Sequence, residues 1–186
     1  TLTALKPAAS ASMVYEDRPT GTNDRIWCVN GDNNSVSVFD AVTRARLAEI
    51  AVGTAPRALA IGPDGRVWVS NVESGSISII SGSTLAVTQT LTLPRGSRPF
   101  GIAFDPDGTD AWVVCEGTGR LLRFNPTTAA QVASMDVGLH ARHISISADS
   151  ARLFVTRFIT PPLPGEATAT VTPSSTTGGE VLSILS

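Results

Sequence analysis

The side chains of this chain best suited to chemistry are basic. Thirteen arginines stand against one lysine, and both histidines fall in one short run, His140-Ala141-Arg142-His143. A guanidinium grips carboxylate or phosphate through a planar fork of donors, so arginine-rich sequence points to anion recognition rather than bond making, although a biased genome composition yields the same ratio without function. Cys28 and Cys115 have no Cys or His beside them, which argues against a metal site. No Gly-x-Ser-x-Gly elbow, Gly-rich phosphate loop or His-Glu-x-x-His helix occurs, and Asp40, Asp64, Asp107 and Asp149 sit in turn sequences where their carboxylates cap backbone N–H groups. The sequence therefore predicts no catalysis by this chain alone, no cofactor and no metal. A net charge of −2 argues against a generic nucleic-acid binder.

What must position these residues is a repeat. Trp27, Trp68, Trp112 and Phe154 each sit in a β-branched run, 41, 44 and 42 residues apart. Pro63-Asp64-Gly65, Pro106-Asp107-Gly108 and Ala148-Asp149-Ser150 recur in step just before the aromatic runs, and Pro56, Pro99 and Ala141 recur before those turns. Self-similarity at this period, with four short strands per unit, is the signature of β-propeller blades. In the second unit the predicted strands are 57–61, 66–71, 76–80 and 87–93, joined by Gly- and Ser-containing turns, and no amphipathic helix of useful length is visible.

The prediction is an all-β protein, a β-propeller of four-stranded antiparallel blades of about 42 residues with about four blades present. It forms a single or partial propeller domain over residues 1–186, with repeats starting near 24, 66, 109 and 151. The four aromatics are expected at equivalent places on the second strand of successive blades. Low charge (16%) and 28 Gly plus Pro residues agree with many strands and tight turns. Residues 160–179, opening Thr-Pro-Pro-Leu-Pro-Gly, replace what should be a short turn and read as an inserted loop that packs on a partner chain or an adjacent blade. Non-adjacent blades rarely bring Cα atoms within bonding reach, so both cysteines are expected as buried free thiols.

Ile26-Trp27-Cys28-Val29-Asn30 with Ser35-Val36-Ser37-Val38-Phe39-Asp40, and Val67-Trp68-Val69-Ser70-Asn71 with Ser76-Ile77-Ser78-Ile79-Ile80, resemble the repeat of the YVTN-family propellers. The likeness covers roughly residues 24 to 158 and resumes at 179–184. It departs in unit three at Cys115-Glu116 and Leu121-Leu122-Arg123-Phe124. Residues 156–166 also resemble an insertion of larger bacterial proteins that join such a propeller to a dihaem peroxidase-like domain. The resemblance implies a periplasmic, secreted or cell-surface binding or scaffold module, or alternatively the propeller domain of a haem-linked redox enzyme in which His140 or His143 could serve as an axial ligand. Seven such units would need roughly 295 residues. Two architectures are therefore compatible with 186 residues: part of a larger, seven-bladed propeller, which is the expectation preferred, or a four-bladed ring closed by strand exchange, with 2–5 as an outer strand, 10–15 as an inner strand and 181–185 as the third strand of the last unit.

Antiparallel blades place the connections between blades on the same face as the turns between strands two and three. On that face Arg57, Arg98, His140, Arg142 and His143 are expected around one channel mouth, beside the 160–179 loop, as a binding site for an anionic small molecule or a protein partner.

Overall fold

The computed structural model describes residues 8–159 and 181–185. The 160–179 insertion and the 2–5 outer strand lie outside the described residues. The short strand β1 (Ala8–Ala9) precedes three complete blades. Blade one is β2 (Met13–Glu16), β3 (Arg25–Asn30), β4 (Ser35–Asp40) and β5 (Arg46–Ala51); blade two is β6 (Pro56–Ile61), β7 (Arg66–Asn71), β8 (Ser76–Ser81) and β9 (Ala86–Thr92); blade three is β10 (Pro99–Phe104), β11 (Ala111–Cys115), β12 (Arg120–Phe124) and β13 (Gln131–Asp136). Blade four contains β14 (Ala141–Ile146), β15 (Arg152–Arg157) and β16 (Val181–Leu185). Its fourth strand is β1, which pairs antiparallel with β14 on the inner edge. The expected all-β propeller fold with four blades of four antiparallel strands is thus observed, and 181–185 takes the third-strand place assigned to it.

Register shows why the aromatics recur. Trp27 pairs with Val14 and Val38, Trp68 with Ala60 and Ile79, Trp112 with Ala103 and Arg123, and Phe154 with Ser145 and Ser183, so all four occupy the same place on the second strand. Alternation along a strand sends neighbours to opposite faces. The Trp face of each blade meets the other face of the next, giving three apolar layers: Trp27 with Leu59, Val67, Val69 and Ile80; Trp68 with Ile102, Phe104 and Phe124; Trp112 with Ile144, Leu153 and Val155.

The Asn and Ser-x-Ser positions of the repeat also have a structural cause. Asn71 Nδ2 donates to Ser76 Oγ (3.2 Å) and Ser78 Oγ (3.0 Å), and Asn30 Nδ2 to Ser35 and Ser37 (2.9 and 2.8 Å), bracing strand two against strand three. Unit three carries Cys115 and Arg120 in those places and lacks the brace. The turn aspartates act as predicted: Asp40 accepts from Val42 N and Thr43 N, Asp64 from Arg66 N, Asp107 from Thr109 N and Asp149 from Ala151 N.

Residues 8–13 run along the inner edges of the blades. Ser10 N donates to Ile144 O, Leu59 N to Ala11 O and Val29 N to Ser12 O, tying blades four, two and one together. Both cysteines are free thiols, but only Cys115 is buried; Cys28 is half-exposed because it lies on the face of blade one that no other blade covers among the described residues.

Candidate functional site

Each of blades two to four begins with the same local device. Ala55, Arg98 and His140 adopt left-handed backbone (φ 54°, 48° and 65°) immediately before Pro56, Pro99 and Ala141, and the first strand then carries a bulge. Their carbonyls accept from Val72 N, Glu116 N and Phe158 N at the end of strand two. Arg98 and His140 therefore serve first as backbone corners, a role that side-chain chemistry does not reveal.

Beyond these bulges the predicted cluster divides in two. Glu116, only 7% exposed, holds one part together: Arg142 Nε donates to its Oε1 at 2.6 Å, and Arg98 Nε lies 3.7 Å from its Oε2. The Arg142 guanidinium also stacks 3.6 Å from the Phe158 ring centroid and 5.0 Å from that of Phe100. His140 adds its backbone N–H to the Glu116 carbonyl (3.0 Å). Two of the predicted anion-binding arginines thus share one carboxylate, Arg142 closely and Arg98 loosely.

The other part is an open cleft of about 400 Å³ at the channel mouth, lined by Ser10, Ser12, Met13, Arg57, Ala58 and His143. Arg57 is exposed and has no ion pair or hydrogen bond among the described residues. His143 Nδ1 lies 3.4 Å from Ser10 Oγ, and its ring meets Phe100 edge-on at 5.3 Å. Arg57 and His143 therefore share one site. Arg98 instead faces a separate recess of about 490 Å³ with Arg95 and Glu73.

Sequence reasoning missed Glu116, Ser10 and Ser12. The signal for Glu116 was the departure of Cys115-Glu116 from the repeat: an acid replaces the Gly31 and Val72 of the preceding units, where Arg98 from the connection before that blade and Arg142 from the first strand of the next converge. Nothing in the sequence marked the two serines.

Neither a family model nor a curated protein sequence matches the chain. Among solved structures it is similar to hydrazine synthase from Kuenenia stuttgartiensis, with 28% identity, a TM-score of 0.68 and coverage of 77% of this chain and 41% of that one. It is similar also to the dihydro-heme d1 dehydrogenase NirN in complex with DHE, with 22% identity, a TM-score of 0.57 and coverage of 68% and 28%. Virginiamycin B lyase from Staphylococcus aureus shares 13% identity with a TM-score of 0.60 over 94% of this chain and 55% of that chain. The chain thus spans about half or less of each of these proteins, and the likeness establishes the propeller fold.

The haem-linked alternative, with His140 or His143 as axial ligand, can be tested against these side chains. The described residues around the cleft do not fit a haem. The lining is mostly serine, alanine and arginine, whereas a porphyrin needs two broad apolar walls, and the Nδ1 edge of His143 faces Ser10.

Proposed function

We propose that this chain is a non-catalytic propeller binding module that works outside the cytoplasm. Its channel mouth receives an anionic group, a carboxylate or phosphate carried by a small molecule or by an acidic segment of a protein partner. The observation that carries the reading is the contrast between arginines: Arg98 and Arg142 are held by Glu116, while Arg57 faces an open cleft with two serine hydroxyls and His143. One free guanidinium among hydroxyl donors forms a single-anion site, since forked donation and hydroxyl bonds both favour oxyanions. The extracytoplasmic placement and membership of the YVTN-like propellers rest on the repeat residues quoted above.

Calorimetric titration with inorganic phosphate and with a short oligoglutamate peptide tests the reading. Arg57→Ala should weaken binding of one of the two probes about tenfold, the scale of one charge-assisted contact. Glu116→Gln should strengthen it, because Arg142 is then released from a full negative charge. No binding of either probe, or binding unchanged in Arg57→Ala, would overturn the site. The haem-linked reading has its own readout: protein from its native source would show a Soret band.

A further inference from the structure

Register gives each junction between blades the same pair of facing positions. One is the residue that follows strand two: Gly31, Val72 and Glu116 come directly after Asn30, Asn71 and Cys115 at the ends of β3, β7 and β11. The other is the second residue of the next blade's first strand: Arg57, Phe100 and Arg142 come directly after Pro56, Pro99 and Ala141 at the starts of β6, β10 and β14. Between blades three and four the two positions hold an acid and a base, Glu116 with Arg142 at 2.6 Å. Between blades two and three they hold Val72 and Phe100, both apolar. Each of these junctions is matched in kind.

The junction between blades one and two is not. Arg57 stands in the place of Arg142, and its Nη1 lies 3.6 Å from where a β-carbon on Gly31 would be, so the guanidinium reaches the same station on blade one that Arg142 reaches on blade three. Glycine offers it no carboxylate. Nor do the neighbours: Asp32 makes no ion pair with Arg57 among the described residues, and Glu49 is engaged by Asn33, Ser35 and Arg46. The station is fixed, because Ala55 N, two residues before Arg57, donates to Asn34 Oδ1 at 2.8 Å in the turn that begins at Gly31. It is also roomy, since a β-carbon on Gly31 would meet only the Pro56 carbonyl oxygen at 3.4 Å and Arg57 Nη1, both at ordinary contact distance.

We propose that this station binds a carboxylate supplied from outside the chain, in the place that the Glu116 side chain fills on blade three. The proposal rests on the anion reading of the channel mouth and narrows it, since Arg57 also lines the cleft with Ser10 and His143. A carboxylate turns both oxygens to the guanidinium fork and its carbon stem the other way, toward the Pro56 carbonyl, as a glutamate at position 31 would. Phosphate carries oxygens in every direction, so one would face that carbonyl with no donor to receive it. The ligand is therefore a small carboxylic acid or an acidic side chain of a polypeptide, with its carboxylate on a slender aliphatic stem.

Calorimetric titration with glutarate, an oligoglutamate peptide and inorganic phosphate tests the proposal. Gly31→Glu, or the shorter Gly31→Asp, supplies the carboxylate from within and should weaken binding of glutarate or the peptide at least about tenfold, more than the uncharged Gly31→Gln does. Val132→Asp, which adds a carboxylate on the exposed outer strand of blade three, should leave binding unchanged. Circular dichroism verifies that each variant keeps its sheet. Melting gives a readout that needs no ligand: Gly31→Glu should melt about 2 °C above Gly31→Gln at low salt, and the difference should vanish at about 1 M salt and in an Arg57→Ala background. Binding of glutarate assigns the station to small acids, and binding of the peptide alone assigns it to a polypeptide partner; either supports a carboxylate. Phosphate bound more tightly than both, carboxylate binding indifferent to Gly31→Glu, or equal melting of Gly31→Glu and Gly31→Gln would overturn the carboxylate station while leaving the Arg57 anion site in place. No binding of any of the three probes would overturn that site and the station with it.

Discussion

The three tryptophans differ in one respect that a stability measurement can isolate. The indole N–H of Trp27 donates to Glu16 (2.6 Å) and that of Trp112 to Asp105 (2.9 Å), whereas the Trp68 N–H is buried and meets no acceptor. The cause is local: the place held by Glu16 and Asp105 at the end of strand one is Gly62 in blade two, and a Cβ there would lie only 3.0 Å from the Phe104 ring. That ring packs edge-on against Trp68 with centroids 5.4 Å apart, so aromatic contact has replaced the hydrogen bond. Trp68→Phe and Trp112→Phe remove a similar volume from equally closed sites, costing roughly 1–2 kcal/mol each. Trp68→Phe also removes an unsatisfied donor, while Trp112→Phe leaves the buried Asp105 carboxylate with only Thr109 Oγ1 at 3.3 Å, at a further cost of about 1–3 kcal/mol. Urea denaturation followed by circular dichroism should therefore place Trp112→Phe about 2 kcal/mol below Trp68→Phe at pH 7. Burial raises the Asp105 carboxyl above its ordinary value, and the Trp112 N–H partly offsets this. A raised carboxyl contributes stability that is present below its unfolded value and lost as pH rises through the folded one. Without Trp112 the folded value climbs further, so the Trp112→Phe deficit should shrink as pH falls toward about 4, while that of Trp68→Phe stays flat. Deficits equal within about 0.5 kcal/mol at pH 7, or a gap that widens in acid, would refute the assignment of these indoles.

The Asp40 carboxyl is held down to about 2, chiefly by the Thr43 backbone N–H and then by Asn23. Its contribution is present above the unfolded value and lost as pH falls through the folded one, so Asp40→Asn should lower the melting temperature at pH 7 and match the native protein near about pH 2. Gly101 lies so close to blade four that an added methyl would strike the Arg142 carbonyl oxygen. Gly101→Ala should cost about 1–3 kcal/mol, read as a fall of several degrees in melting temperature, and an unchanged melt would contradict the close approach of β10 and β14. Burial pushes the Cys115 thiol up to about 12, so Ellman's reagent should modify it only as fast as the protein unfolds, and prompt reaction in the folded state would disprove its burial.

Much of the architecture was legible in the residues because it depends on local rules repeated in step. Aromatic, turn-Asp and Asn/Ser-x-Ser positions each serve a contact inside one blade or with the next, so their spacing carries the blade, the strand order and the fold class without coordinates. The same logic expected Arg57, Arg98 and Arg142 around one mouth, whereas the structure brings Arg98 and Arg142 to Glu116 and sets Arg57 beside His143. Their partners were not legible, because Glu116 meets Arg98 and Arg142 across two blades, and Ser10 reaches His143 over 133 residues of sequence. Tertiary packing alone made backbone corners of Arg98 and His140, left Arg57 beside His143 without an ion pair among the described residues, and left Cys28 half-exposed where Cys115 is buried. Composition and period report what each residue prefers; which charges cancel and which faces stay open depends on what the fold sets opposite them.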